Sequence, residues 1–317
     1  MQRNVILAIL ISFFLTAVIG PRLLPLLTRL KFGQFVREDG PQSHLKKQGT
    51  PTMGGIIFLL GIVLTSTIFF KIDSNLLPLL CVVIGFSAIG FTDDYLKVVK
   101  KQSEGLKSGQ KLLLQCVIAV GYLLYLVIVK DQSTKVILPF TYGYELDLAW
   151  TYIPIMLVVI LGTVNGVNLT DGVDGLATSV TATVCAFFIF ISLSTAGTDE
   201  VFSSIVLGSL LAFLLLNSNP AKVFMGDTGS LALGGFVAAL AITQRVPLFI
   251  PLFGCIYLLE TISVMIQVAY FKKTKKRFFK MAPIHHHFEL SGMSEVQVVT
   301  FFTIITIVMS LIAVLAM

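Results

Sequence analysis

Asn168-Leu-Thr-Asp171-Gly-Val-Asp174-Gly175-Leu176 sets two carboxylates and two glycines between two apolar runs, Trp150 to Val167 before it and Leu176 to Thr195 after it. Each run approaches the roughly 20 residues a helix needs to cross a bilayer, so the stretch reads as a polar turn joining two spanning helices. A glycine after each aspartate lets the turn aim both carboxylates and several backbone N–H groups at one ligand, which suits a phosphate-bound cation. The alternative is a plain polar loop in which Asp171 or Asp174 caps the following helix.

The rest of the chain repeats the apolar signature. Its 317 residues are 56% hydrophobic and 13% charged, with a mean hydropathy of +0.90, which excludes an ordinary water-soluble domain and indicates one all-α integral membrane domain over residues 1–317. Besides the two runs above, spans are expected at Asn4 to Leu30, Met53 to Phe70, Leu76 to Tyr95, Leu112 to Val129, Val201 to Leu216, Ser230 to Ile242, Val246 to Phe271 and Val298 to Met317, about ten in all. Ser230 to Ile242 is too short to cross alone unless Gly226 to Gly229 or Arg245 continues it, and Gly234-Gly235 weakens it further. The first run exceeds a signal-peptide core and lacks a small-residue cleavage site, so it reads as a retained helix. Cys81, Cys116, Cys185 and Cys255 all fall in apolar runs without metal-ligand spacing and read as small buried hydrophobes.

Alternating spans sort the loops into two sets. One carries Arg29, Lys31, Arg37, Lys46, Lys47, Lys97, Lys100, Lys101, Lys107, Lys111, Lys222, Lys272, Lys273, Lys275, Lys276, Arg277 and Lys280; the other has only Arg3, Lys71, Lys130, Lys135 and Arg245. The positive-inside rule makes the first set cytoplasmic and both termini external. Lys135 to Leu148, on the external side, reads as a short hairpin turning near Gly143.

Chemistry-bearing residues gather on the basic side. Lys46, Lys47 and the hydroxyls of Gly49-Thr-Pro51-Thr52-Met-Gly-Gly55 can hold phosphate, with Pro51 at a plausible first helical turn, although a plain helix start whose lysines follow the positive-inside rule explains the stretch more simply. Asp93-Asp94 ends the third span beside Lys97; helical neighbours point about 100° apart, so the pair takes different roles, one on a metal or substrate and one on a lysine, unless both are plain interfacial salt bridges. Lys97 through Lys111 suits polyanions or anionic lipid heads, equally a solvated loop, and nucleic acid is excluded as a partner for want of a soluble recognition fold. Phe224-Met-Gly-Asp227-Thr-Gly-Ser230 sets another aspartate at a helix start: a metal-binding Asp227 would sit beside backbone N–H groups that favour phosphate oxygens, whereas a bare N-cap would need neither neighbouring glycine. Glu260, Ser263 and Gln267 share one helix face; an ionisable residue inside a span marks a functional site unless, as the milder reading of Glu260 has it, it meets a polar partner inside the bundle and only holds helices together. Pro283-Ile-His285-His286-His287-Phe-Glu289 offers three imidazoles able to bind phosphate or ligate a metal.

Those five motifs, in this order, resemble the polyprenyl-phosphate N-acetylhexosamine-1-phosphate transferases, and within them the phospho-N-acetylmuramoyl-pentapeptide transferase branch. The resemblance spans nearly the whole chain. It implies transfer of phospho-MurNAc-pentapeptide from UDP-MurNAc-pentapeptide to undecaprenyl phosphate, giving lipid I and UMP at the cytoplasmic face of a bacterial cell membrane, with Mg²⁺ as cofactor. It further implies Asp227 as the Mg²⁺ ligand and Asp93, Asp94, Asp227 and His286 as catalytic. Substrate binding would fall to Lys47, Thr52, Lys97, Lys111, Asn168, Asp171, Asp174, Phe224, Gln267, His285 and His287. Membrane lipids are expected around the spans, and a homodimer is left open. A sister transferase using UDP-GlcNAc would share the aspartates but not obviously the threonine-glycine and triple-histidine motifs, whereas a transporter would hold its charges near the bilayer midplane.

The charge sorting makes a direct prediction. Single cysteines placed beside Lys107 and Tyr142 in a cysteine-free background should label from opposite sides of intact cells, and labelling from one side would overturn the topology.

Overall fold

The computed structural model describes residues 2–29, 47, 49–69, 76–98, 100, 105–194 and 199–317. Lys46 and several other lysines and arginines of the basic loops lie outside them. Among the described residues nine helices are long and apolar enough to cross a membrane. We label the helices α1 (Gln2–Arg29), α2 (Gly55–Phe69), α3 (Leu76–Val98), α4 (Ser108–Leu124, continued by a π-helical turn Tyr125–Val129), α5 (Tyr152–Thr170), α6 (Leu176–Ser194), α7 (Glu200–Asn217), α8 (Gly226–Thr243), α9 (Cys255–Thr274), α10 (Ile284–Glu289) and α11 (Glu295–Leu315). The chain is an all-α multi-pass membrane protein. The tenth expected span, α2, has only 15 residues.

α2 starts late because the chain before it does something else. Met53 takes φ 64°, and residues 51–55 run alongside the 224–225 segment, with Phe224 N–H donating to Pro51 O (2.8 Å) and Gly54 N–H to Phe224 O (2.8 Å). Pro51 therefore lies in this pairing rather than in a first helical turn. The pairing joins the first basic loop to the start of α8.

α8 corrects the doubt about Ser230 to Ile242. Gly226 to Gly229 do extend it, to 18 residues, and it is the innermost long helix, most of its length buried against α3, α5, α2 and α6. Gly234 and Gly235 weaken its intrinsic propensity but permit that position, since a Cβ on Gly235 would strike the Phe86 ring and one on Gly234 the backbone of Val164. Helices in lipid associate through such close backbone approach rather than through a hydrophobic drive. The outer helices show the complement: Phe14, Leu113, Val117, Val158 and Leu311 turn large apolar side chains outward, as a hydrocarbon surrounding requires.

Two further expectations change. Val246 to Phe271 is not one helix: Pro247 and Pro251 lack amide donors, so the segment makes a 3-10 turn Pro247–Phe249 and a short turn Ile250–Phe253 before α9 begins after Gly254. Cys185 and Cys255 are buried as expected, but Cys81 lies on the outer surface and Cys116 is half-buried. The hairpin forms as read, Lys135–Ile137 pairing antiparallel with Glu145–Asp147 around Gly143 at φ 84°. It is tied to the bundle by Ile137 N–H to Arg245 O (2.9 Å) and Phe140 N–H to Ala316 O (2.7 Å).

Candidate active site

The contact that builds the site is a helix end against a helix end. A Cβ on Gly90 of α3 would collide with the Asp227 carbonyl, so glycine there lets α3 reach the first turn of α8. One turn on, Asp94 uses the closeness: its carboxylate accepts the amide N–H of Asp227 (3.2 Å) and of Thr228 (2.9 Å), and the Thr228 hydroxyl (2.6 Å). A buried carboxylate on the orphan amides of a helix N-terminus is stabilised by both hydrogen bonding and the helix dipole. Asp94 is thereby committed to holding Asp227.

Asp93, pointing elsewhere on the same turn, meets Lys97 at 2.5 Å and accepts the Leu106 N–H at 2.8 Å. The two neighbours do take different roles, as their helical offset requires. Asp227 is the hub: Lys111 reaches its Oδ2 at 2.8 Å and Lys97 at 3.2 Å, while Asn168 donates to its Oδ1 at 2.7 Å and to Ser230 at 2.8 Å. Asp171 closes the cluster, accepting the Gly226 N–H; burial, then the charges of Asp227 and Asp94, hold its carboxyl well above the usual carboxylate range.

Asp171 and Asp174 do not share a ligand as their spacing suggested. Asp174 turns to Lys47 (2.7 Å), to the Ala221 N–H (3.0 Å) and to Asn219 (3.2 Å), while Asp171 faces Gly226. A turn of five residues with glycine at φ 77° at position 175 curls enough to send the two side chains to different neighbours. Thr52 is buried beside Gly226, and Phe224 is half-buried on the 51–55 pairing.

The histidines divide as well. His285 is fully buried, its Nδ1 3.0 Å from Glu260 Oε1, which is the intrabundle partner expected for that glutamate. Its other nitrogen lies against Gly172, where a Cβ would collide with it. His286 sits 2.8 Å from Glu289, and His287 Nδ1 accepts the Lys280 N–H at 3.2 Å. Gln267 uses its side-chain oxygen on the N–H groups of Phe278 (3.1 Å) and Phe279 (2.9 Å), fastening the loop that carries the histidines.

A cavity of about 450 Å³ opens beside the hub, lined by Asp93, Lys97, Lys111, Leu112, Gln115 and Asn165 among others. Gln115 and Asn165 escaped the sequence reading; Asn165 donates to Gln115 at 2.9 Å. Both were within reach of it, being amides in apolar spans spaced one helical turn from Lys111 and Asn168.

Four carboxylates, Asp93, Asp94, Asp171 and Asp227, face two lysines, Lys97 and Lys111, which leaves two negative charges over when all are ionised. Among the described residues no group of three or more histidine, cysteine, aspartate or glutamate side chains is arranged to hold a metal ion by itself. Mg²⁺ commonly takes one or two carboxylates plus substrate oxygens and water, so an open, oxygen-only, anion-rich donor set centred on Asp227 fits that ion.

The glycosyl transferase family 4 model matches residues 76–245, and the phospho-N-acetylmuramoyl-pentapeptide-transferase signature 1 matches residues 47–59. Proteins named phospho-N-acetylmuramoyl-pentapeptide-transferase are similar over nearly their full length. That of Caldanaerobacter subterraneus subsp. tengcongensis is 50% identical over 309 residues, covering 97% of both chains, and that of Acetivibrio thermocellus 46% over 312 residues, covering 97% of this chain and 94% of its own. The chain belongs to the phospho-N-acetylmuramoyl-pentapeptide-transferase family. The family signature covers Lys47, Thr52 and the pairing with Phe224, and the broader match covers every member of the aspartate cluster.

Stability separates the aspartates. Asp94→Asn keeps one acceptor oxygen but turns an NH2 toward the donors of Asp227 and Thr228, and should destabilise the fold by about 0.5–1.5 kcal/mol, the scale of one lost hydrogen bond, because the burial of Asp94 offsets part of what its charge contributes. Asp171→Asn should not destabilise it. A carboxyl held above its unfolded value costs stability as pH rises from the ordinary carboxylate value through the raised one, so at neutral pH the amide removes that cost. Thermal unfolding of both variants in detergent at pH 7 checks this, and an Asp94→Asn variant as stable as the wild type would contradict it.

Proposed function

We propose that the chain transfers phospho-MurNAc-pentapeptide from UDP-MurNAc-pentapeptide to undecaprenyl phosphate, releasing UMP and forming lipid I, at the cytoplasmic face of a bacterial cell membrane. The observation that carries this reading is the aspartate-lysine cluster around Asp227, placed at the bundle end where the basic loops meet, in a chain of this family.

The chemistry asks for charge management above all. An oxygen of the lipid phosphate attacks the sugar-bearing phosphorus of the nucleotide; a P–O bond forms there as the bond to the bridging oxygen breaks, and UMP leaves with those electrons. The lipid phosphate, with a second pKa near 6, is already largely dianionic at neutral pH, so a strong general base is not required. What must be overcome is repulsion between two anionic reactants. Lys97 and Lys111, both seated on Asp227 Oδ2, are placed to bring positive charge to the diphosphate. Asp227 would hold Mg²⁺, which when bound would supply Lewis-acid stabilisation of charge on the phosphate oxygens. Asn168 fixes the Asp227 carboxylate from its other oxygen, and Asp94 fixes its backbone, so the hub is oriented before substrate arrives. Asp93 aligns Lys97, and Lys47 with Asp174 borders the site on the side of the family signature. His285 supports the Asp171 to Asp174 turn through its contact with Gly172, and His286 and His287 would serve the sugar or phosphate end.

Purified protein given undecaprenyl phosphate and Mg²⁺ should release UMP from UDP-MurNAc-pentapeptide and scarcely any from UDP-GlcNAc. Asp227→Asn should lower that rate by roughly 10²-fold or more while the protein stays folded, the scale of losing one preorganised electrostatic group. Preference for UDP-GlcNAc would move the chain to the sister activity, and full activity in Asp227→Asn would remove Asp227 from the metal site.

A further inference from the structure

Glu295 lies 248 residues from Lys47 in sequence and 2.5 Å from it in space. Its Oε2 accepts from Lys47 Nζ and from the Asn219 side chain at 3.0 Å, while Asp174 accepts from the same two groups through its two oxygens. Lys47, Asp174, Asn219 and Glu295 thus form a closed ring drawn from four separate segments: the first basic loop, the turn after α5, the loop before α8 and the first turn of α11.

An ammonium has three hydrogens. Asp174 and Glu295 take two of them, and two fixed anchors determine where the third points, which a single anchor on a flexible four-carbon stem does not. Glu295 is a rigid anchor, since α11 opens with a reciprocal cap between Ser294 and Gln297 and the first helical turn favours a carboxylate. The lysine and the glutamate are 16% and 9% exposed, so the pair is shielded enough for its geometry to matter while the lysine keeps an open side. The ring also holds Asn219 and, through Asp174, the Ala221 amide, just before the 224–227 segment that delivers Asp227.

We propose that Glu295 is a positioning residue for the nucleotide: it acts through Lys47, holding the ammonium so that its remaining N–H meets the nucleoside diphosphate. The proposal rests on the transferase reading for its substrate, but its test has a binding arm that does not. UDP affinity of the detergent-purified full chain is measured by calorimetry, alongside KM and kcat for UMP release. Glu295→Ala should weaken UDP binding and raise the nucleotide KM about tenfold, the scale of one charge-assisted contact, with kcat kept within about threefold, since uniform binding is what is lost. In a Lys47→Met background the same change should cost less than about twofold, because Glu295 has nothing left to position. Glu295→Gln, which keeps an acceptor oxygen for Lys47 and Asn219, should fall between wild type and Glu295→Ala and stands in should the alanine variant not fold. Equal losses in the two backgrounds, a fall in kcat with UDP affinity unchanged, or wild-type affinity in Glu295→Ala would each overturn the proposal. A wild-type protein that binds UDP but transfers from no nucleotide sugar would instead overturn the transferase reading and leave the UDP comparison to decide on Glu295.

Discussion

The grip of Asp94 on the first turn of α8 is the contact from which the site follows. α8 enters the core carrying Asp227, and unpaired amides at a buried helix start cost more than most single interactions return. A carboxylate on α3 satisfies them, and Gly90 makes room for it. Once those two helix ends are locked, Lys97 and Asp93 follow on the next turn of α3, Lys111 comes in from α4, and Asn168 reaches across from the end of α5. The site is therefore built on helix termini rather than on free loops, which suits chemistry that depends on positioning charge.

Its electrostatics explain why so stable a scaffold keeps so uncomfortable a cluster. Packing four carboxyl groups with two lysines is unfavourable in the protein alone, and Asp171 shows it: burial first, then the charges of Asp227 and Asp94, hold its carboxyl above the usual carboxylate range. On the proposed reading, a dication that arrives with phosphates would relieve that excess. Strain of this kind at a site, with relief supplied by ligand, is the usual form of a trade between stability and activity.

Much of this was legible in the chain because membrane proteins write their architecture in run length. Apolar stretches near bilayer length located the helices, and acidic turns on the lysine-rich side located the cluster. What the sequence hid depended on tertiary distance or on competing local signals. Gly234-Gly235 read as a weakness because propensity speaks of an isolated helix, whereas the innermost helix needs small residues against Phe86 and Val164. Val246 to Phe271 read as continuous because its hydropathy outweighed Pro247 and Pro251. Asp171 and Asp174 looked like a pair because spacing carries no information about how a turn curls. Glu295 drew no attention in the sequence, lying ahead of the Val298 to Met317 run, and only the fold brings it to Lys47.

The central claim is that the carboxylate excess around Asp227 exists to take a divalent cation together with the nucleotide. Equilibrium titration of Mn²⁺, followed by its electron paramagnetic resonance signal, tests this on the purified wild type and on Asp227→Asn, each with and without UDP-MurNAc-pentapeptide. The account predicts one Mn²⁺ per wild-type chain, bound more tightly when the nucleotide is present, and loss of that site in Asp227→Asn under both conditions. Equal Mn²⁺ binding by wild type and Asp227→Asn would contradict it.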